Sequence, residues 1–590
     1  MCMFYFLFIT YILRLISGGI VAPPIKGELD WWQNAVIYEI FPLSFKDSNG
    51  DGFGDFNGIT EKLDYLVDIG VNAIWLTPFL ESPLESGGYD VSDYLKVQDV
   101  FGSMEDFENL VNTAHKKNLK VIMDFVPNHT SNKHIWFQES ANNTNYTDYY
   151  IWKDAKNHYE VMNNSSVQPI VPNNWTRIAG SDIDTSMWIW HETRKQFYLC
   201  QFCGNLPDLN FRNEKVHIEM KKILRYWLDK GMDGIRIDAL KHIYESEQLQ
   251  DEPMINPAGP VKHWNFYHYY TVDQDEVYDL IKEWHQLLNE YKQKDNFTRI
   301  IMTESYSPND ILFKYYSSGT EIPTNFKLMP YNQLLNSTIT DIEIRKWITE
   351  MPENATYNVV LQNHDNKRIC TLYGCEFIDT MNALSLFLPG VAIVYYGGEI
   401  GMEDIPVEIN YARAPMQWSN TTYAGFTDGD KNKPWIDVHP SYVTRNVEDE
   451  YNDPKSNLNF FKSVSKLRHT DTLKKGGLAT YIFDQVYVLT RYLPRNENYT
   501  LIMNMGSRSQ TVCLADQIPR LYGSLTVVIG SENSNFNPGN IISTDSLTLN
   551  PGASIIVTDK YATANSSSSH LYVTLEVLLL CLFIVKSCNL

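Results

Sequence analysis

Asp238, Glu304 and Asp365 are the residues of this chain whose types and settings best suit chemistry. Each stands at the end of a short apolar run, in GIRIDALKH, RIIMTES and YNVVLQNHD. A lone acid at such a place is ordinarily a cap or a loop ion pair. Three of them, with Asp124, Asn128 and His129 closing another run (DFVPNH), are hard to produce as solvated surface. Arg236 lies two residues before Asp238, on the same face of an extended segment. A cation there keeps a carboxylate ionised, as a nucleophile requires. Glu304 follows an apolar run, and partial burial raises a carboxyl pKa, as a proton donor requires. Asp365 stands beside His364 and can accept hydrogen bonds from sugar hydroxyls. Two carboxylates in acid and nucleophile roles, with hydroxyl contacts beside them, are the apparatus of glycoside cleavage.

The elements that must position these acids are legible as alternating strands and helices. Segments 35–41, 71–77, 119–126, 234–239, 299–305, 357–363 and 391–397 are β-branched and almost continuously apolar, as parallel strands covered on both faces are. Phe107, Leu110, Val111 and Ala114 recur at helical spacing, as do Val216, Met220, Ile223, Leu224 and Trp227, with Gly231 placed to end that helix. The pattern predicts an α/β fold, a (β/α)8 TIM barrel over 28–130 and 203–477, with an eighth strand between 310 and 350. The C-terminal strand ends of such a barrel converge on one face, where active sites form. Polar, aromatic, Asn-rich text at 131–202 predicts a domain inserted after the third strand. Short alternating strands at 478–560 predict a separate antiparallel β-sandwich domain.

Composition narrows the partners. The 590 residues are 44% hydrophobic and 20% charged, with a formal net charge of −22. That sign opposes phosphate-rich partners, so nucleic acid is not expected. Residues 1–19 read as a secretory signal peptide with cleavage near Gly19. Residues 565–590 read as a lipid-anchor (GPI) attachment signal, with a membrane span as the alternative. N-x-S/T triplets at Asn142, Asn145, Asn163, Asn174, Asn296, Asn336, Asn354, Asn420 and Asn498 agree with secretion. In an oxidising lumen the close pairs Cys200/Cys203 and Cys370/Cys375 could each form a disulfide, leaving Cys513 free. In DSNGDGFGD, the side chains of Asp47, Asn49, Asp51 and Asp55, with the carbonyl of Phe53, alternate as oxygen donors like the start of an EF-hand loop, although Gly58 stands where Glu would complete it.

From Trp31 to about Val557 the chain resembles the α-amylase superfamily, glycoside hydrolase family thirteen, and within it insect gut maltases and related α-glucosidases. DFVPNH, GIRIDALKH, the TE of IMTES, QNHD, LPDLN (206–210) and GGEIGM (397–402) resemble its signature regions in order. The resemblance implies Asp238 as nucleophile, Glu304 as acid/base and Asp365 as transition-state stabiliser. It implies sugar contacts from Asp90, His129, Arg236 and His364, with Arg368 and Arg413 as further candidates. It also implies a structural Ca2+ at 47–55 and no organic cofactor. The expected partner is a small α-glucoside (maltose, sucrose or short oligosaccharides), with transglucosylation possible in principle. The expected location is the extracellular face of a membrane, apical gut membrane if the maltase likeness holds. Leu206 replaces a common Gln, Lys367 a common Pro, and Lys241-His242 looks more amylase-like. An endo-acting amylase is therefore a second expectation. A catalytically inactive surface protein, like the heavy chains of amino-acid transporters, is a third.

Overall fold

The computed structural model describes residues 19–156, 169–178, 186–329, 335–407, 410–428, 433–518, 521 and 523–559. The anchor signal, Asn163 and all of the leader but Gly19 lie outside the described residues.

Eight parallel strands make the central sheet: β1 (Val36–Ile40), β2 (Ala73–Leu76), β3 (Lys120–Phe125), β4 (Gly234–Ile237), β5 (Ile300–Thr303), β6 (Ile322–Pro323), β7 (Asn358–Val360) and β8 (Val391–Tyr395). Their order is β6-β5-β4-β3-β2-β1-β8-β7, a barrel opened at one seam. β-Branched and aromatic side chains make these segments strands, because both faces are covered: β1, β2, β4, β5, β7 and β8 are buried throughout. The register places Arg236 of β4 beside Asp124 of β3 and Met302 of β5. The strand expected between 310 and 350 is β6, only two residues long, and so too short to show a period. Across the seam, the Asn358 amide replaces a ladder. Its Nδ2 donates to Pro323 O at 2.8 Å, and its Oδ1 accepts from Asn325 N at 2.8 Å.

Helix α1 (Met104–Lys116) opens with a Ser103–Asp106 capping box and buries Phe107, Leu110, Val111 and Ala114. Helix α2 (Glu214–Asp229) buries Val216, Met220, Ile223, Leu224 and Trp227. It stops before Gly231, whose φ of +98° continues the chain in the left-handed region. After β3, three antiparallel strands (Trp152–Lys153, Trp188–His191, Gln196–Leu199) form a small separate sheet around Trp175 and Trp188. At the C-terminal end, the strands Gly477–Phe483, Val486–Tyr492, Tyr499–Asn504, Ser554–Thr558, Ser524–Gly530 and Ile541–Ser543 form an antiparallel sheet, accompanied by a two-stranded ribbon. The N-terminal strand Gly19–Ala22 pairs along its edge with Gly477–Phe483.

One cysteine expectation needs correcting. Cys370 and Cys375 are bonded, but Cys200 and Cys203 are free. The Cys200 thiol turns inward onto the carbonyl of Cys203, while Cys203 Sγ turns to Asn205 Oδ1 at 2.8 Å, so the sulfurs are committed to different partners. Cys513 is free, as expected.

Candidate active site

The C-terminal ends of β3, β4 and β5 meet at one guanidinium. Arg236 Nη1 lies 2.9 Å from Asp124 Oδ1 and 2.6 Å from Asp238 Oδ1, and its Nη2 lies 3.1 Å from Glu304 Oε2. Arg236 is 2% exposed. The Trp75 ring, 5.1 Å from the guanidinium, backs it, and Trp75 Nε1 donates to Asp124 Oδ2 at 3.2 Å. Arg236 is there because alternation along β4 sends residues 236 and 238 to the same side of the strand. Asp238 is followed by Ala239 in the left-handed region (φ +51°, ψ +30°), a conformation costing about 1–2 kcal/mol for a residue with a side chain. That turn aims Ala239 N at Glu304 Oε2, 3.1 Å away.

Three carboxylates around one cation cannot all ionise freely. Burial pushes Asp238 well above the usual carboxylate range; Arg236 opposes this, and Glu304 and Asp124 reinforce it. Burial likewise raises Asp124 to about 6 against the pull of Arg236. The Arg236 guanidinium, 2.6 Å from Asp238, is the cation that opposes the burial.

Asp365 differs. Burial would raise it, but His364, Arg413 and Arg236 outweigh burial and hold it below the usual range. His364 Nε2 is 3.2 Å from Asp365 Oδ2, and Arg413 Nη2 is 2.9 Å from Asp365 Oδ1. His364 Nδ1 meets the buried carboxylate of Glu39 at 2.6 Å. Burial would lower the His364 pKa, but Asp365 and Glu39 reverse the sign and leave it raised. A raised imidazole pKa stabilises the fold at acid pH, and that contribution is lost as pH rises through it. Glu39→Gln is therefore expected to move the alkaline limb of kcat/KM to lower pH, read from a pH–rate profile. An unmoved limb would rule out this role for Glu39.

The acids open into a cleft of about 410 Å³, the size of ordinary small-molecule sites. Tyr89, His129, Asp238, Lys241, Glu304, Tyr306, Asp365 and Asn366 line it, with Ile178, Phe202 and Leu206 from the inserted segment and the chain just after it. Burial lowers His129 to about 4, so its ring is neutral. Nδ1 faces Asn128 Oδ1 at 2.9 Å and must carry the proton, which leaves Nε2 as an acceptor without a partner. A sugar hydroxyl would satisfy it. Phe202 sits against His129 and His242, with ring centroids 5.2 and 5.3 Å away.

Four of the expected sugar contacts, Asp90, Arg236, His364 and Arg368, are buried. The carboxylate of buried Asp90 accepts from Ser82 Oγ, Glu85 N and Ser86 N, and so holds the turn before it. Arg368 is buried, donates to Tyr396 O at 2.8 Å and Ala412 O at 2.9 Å, and so fixes the backbone next to Arg413. Arg236 and His364 are covered and act through the acids. Tyr89, Glu39 and Trp75 were missed. Tyr89 stacks on His364 (centroids 5.5 Å, 13° between planes) and places its hydroxyl 2.7 Å from His364 Nε2. The available signal was the glycine pair before it. Gly87 and Gly88 have φ of +65° and +103°, and a Cβ on Gly87 would stand 2.8 Å from Arg413 Nη1.

Away from the cleft, the 47–55 loop has the first half of an EF-hand shape. Asp47 Oδ2 accepts from Gly52 N at 2.9 Å, five residues on, and Gly52 turns with φ +96°. Asn49 and Asp51 each accept from the backbone two residues on. Asp55 caps the following helix through Gly58 N. No three His, Cys, Asp or Glu side chains among the described residues converge as a metal cluster, so a cation here would also need the Asn49 amide and the Phe53 carbonyl. That oxygen-only donor set suits a hard cation.

The profile described as "Alpha amylase, catalytic domain" matches residues 39–476. An α-glucosidase of Culex pipiens is 36% identical over 556 residues, covering 92% of this chain and 93% of that one. A human amino acid transporter heavy chain, SLC3A1, is 35% identical over 575 residues, covering 94% and 82%. The crystal structure of an "alpha-glucosyl transfer enzyme", XgtA, superposes with a TM-score of 0.78 at 28% identity, covering 90% of this chain and all of that one.

Proposed function

This chain belongs to the α-amylase family and is a glycoside hydrolase of the α-glucosidase kind, and on that premise we propose that it is exo-acting and retaining, releasing glucose from maltose, sucrose or short oligosaccharides. The observation that carries this reading is the meeting of Asp238 and Glu304 on adjacent nitrogens of Arg236. Sharing one guanidinium keeps the carboxyls near each other, in keeping with the separation of about 5–5.5 Å typical of retaining enzymes rather than the wider gap that inversion needs.

Glu304 protonates the glycosidic oxygen as the C1–O bond breaks, and Asp238 attacks C1 to form a β-glucosyl ester. Water then attacks C1 and gives its proton to Glu304, while the ester oxygen returns to Asp238 as carboxylate. The product is α-glucose. A sugar hydroxyl in place of water gives transglucosylation. Asp365, held ionised by Arg413 and His364, binds ring hydroxyls and gains strength as positive charge develops on the ring.

An inactive barrel is not favoured, because all three acids are assembled and face one cleft. An endo-acting amylase is not favoured either, since Ile178, Phe202 and Leu206 hem in that cleft. The test is to incubate purified protein with maltose, sucrose, isomaltose and starch and to follow products and their anomeric form. Early release of β-glucose, or of long oligosaccharides from starch, would overturn the reading.

We extend the proposal to the metal and the membrane. Asp47, Asn49, Asp51, Asp55 and the Phe53 carbonyl would hold a structural Ca2+. Chelation is expected to lower Tm, with added Ca2+ restoring it; at one hundred times Kd a bound ion is worth about 2.7 kcal/mol. An unchanged Tm would reject the site. The leader and tail read from the sequence support secretion and a lipid anchor on the extracellular face. Phosphatidylinositol-specific phospholipase should then release the protein from membranes. No helix among the described residues is long and apolar enough to cross one.

A further inference from the structure

The loop after β4 carries an aromatic surface outside the cleft. Trp264 is 68% exposed, Tyr269 61% and Tyr267 43%. Tyr267 and Tyr269 stack with centroids 5.3 Å apart and planes 5° apart. The Trp264 indole and both phenol hydroxyls have no hydrogen-bond partner among the described residues. Single exposed aromatics are common on protein surfaces, but three within six residues, with free polar tips, are not.

This surface is built, not frayed. The Glu252 carboxylate accepts from Tyr269 N at 3.0 Å, Tyr270 N at 2.8 Å and Thr271 Oγ1 at 3.1 Å. Met254 bridges to Phe266. His263 meets Thr176 O at 3.0 Å, two residues before the cleft-lining Ile178. Asp273 N donates at 2.8 Å to the carbonyl of Lys241, another cleft residue. The lobe therefore borders the catalytic mouth.

Charge selects the occupant. Between residues 243 and 275 the exposed acids are Glu247, Asp251 and Asp275, and Lys262 is the one lysine or arginine. An anionic membrane surface would be repelled. A neutral sugar would not. Its C–H faces lie on aromatic rings, and its hydroxyls can meet an indole N–H, phenol groups and carboxylates. We propose that Trp264, Tyr267 and Tyr269 form a second binding site for α-glucosidic oligosaccharides, which holds longer substrates beside the cleft. The proposal rests on the α-glucosidase reading.

The test compares wild type with Trp264→Ala/Tyr267→Ala/Tyr269→Ala, both full length. Hydrolysis of 4-nitrophenyl α-glucoside, which fills the cleft alone, should stay within about twofold. Retardation in soluble-starch gels should weaken, and dissociation constants for maltoheptaose, read by calorimetry with Asp238→Asn added to both proteins so that the ligand is not consumed, should rise at least about tenfold, equal to 1.4 kcal/mol. Trp264→Phe should keep more affinity than Trp264→Ala. Unchanged affinity in the triple variant would overturn the site, as would no retardation of wild type. So would wild-type binding to phosphatidylcholine vesicles that the triple variant loses while keeping starch affinity. If wild type fails to cleave the aryl glucoside, the catalytic reading falls, while starch retardation still scores this surface.

Discussion

Asp238→Asn is expected to lower maltose turnover by about 10⁴-fold or more, equal to about 5.4 kcal/mol of barrier, while leaving the protein folded. An amide cannot form the glucosyl ester, so the loss should fall on kcat. Stability should move the other way. Burial raises Asp238, so its favourable contribution is present at acid pH and is lost as pH rises through its folded pKa. Asp124, at about 6, loses its share between roughly pH 4 and 6. Replacing Asp238 with a neutral isostere removes one buried charge from a cluster of three, so Tm near pH 7 should hold or rise. Arg236 keeps Asp124 and Glu304 as partners. Wild-type-like turnover would sink the nucleophile assignment. A large drop in Tm would show that Asp238 stabilises the barrel through its charge, against the burial argument.

Glu304→Gln should separate leaving groups. Maltose needs its departing oxygen protonated, and its turnover should fall by about 10³–10⁴-fold, the upper range for general acid catalysis. A 2,4-dinitrophenyl α-glucoside leaves without a proton, so its first step should fall far less. The ester would then accumulate for want of a base. Azide, which needs no base, should restore turnover and give α-glucosyl azide. Equal losses on both substrates, with no effect of azide, would show that Glu304 is not the proton donor. The glutamine also loses the charge that Arg236 Nη2 and Ala239 N now meet. A circular dichroism melt should accompany the kinetics to show that the turn at Ala239 survives.

The further surface at Trp264 and the catalytic cleft meet at Thr176–Ile178 and at Lys241. This arrangement would account for a small cleft in a large protein. The chemistry needs one glucosidic bond, and the rest of a longer substrate would lie on the neighbouring lobe.

The sequence by itself determined the barrel, the inserted segment, the C-terminal sheet and the three acids. These follow from local rules. Apolar continuity marks strands covered on both faces, 3.6-residue spacing marks helices, and a polar residue directly after a buried strand must lie at its end. Strand β6 was not legible, because two residues carry no period and its place is held by the distant amide of Asn358. Only the tertiary structure decided how the acids are tuned. Arg236 reads as a private partner of Asp238, but the register of β3, β4 and β5 makes it common to three carboxylates. Glu39 lies 325 residues from His364, and Asp365 is 48 residues from Arg413. Asp90 and Arg368 look like ligands in a motif, and the structure buries both and bonds them to the surrounding chain, because burial depends on what packs over a residue and not on its neighbours in the chain. Chain order fixes which residues reach the end of the barrel; packing around them fixes which are charged, which are covered and which are left for the sugar.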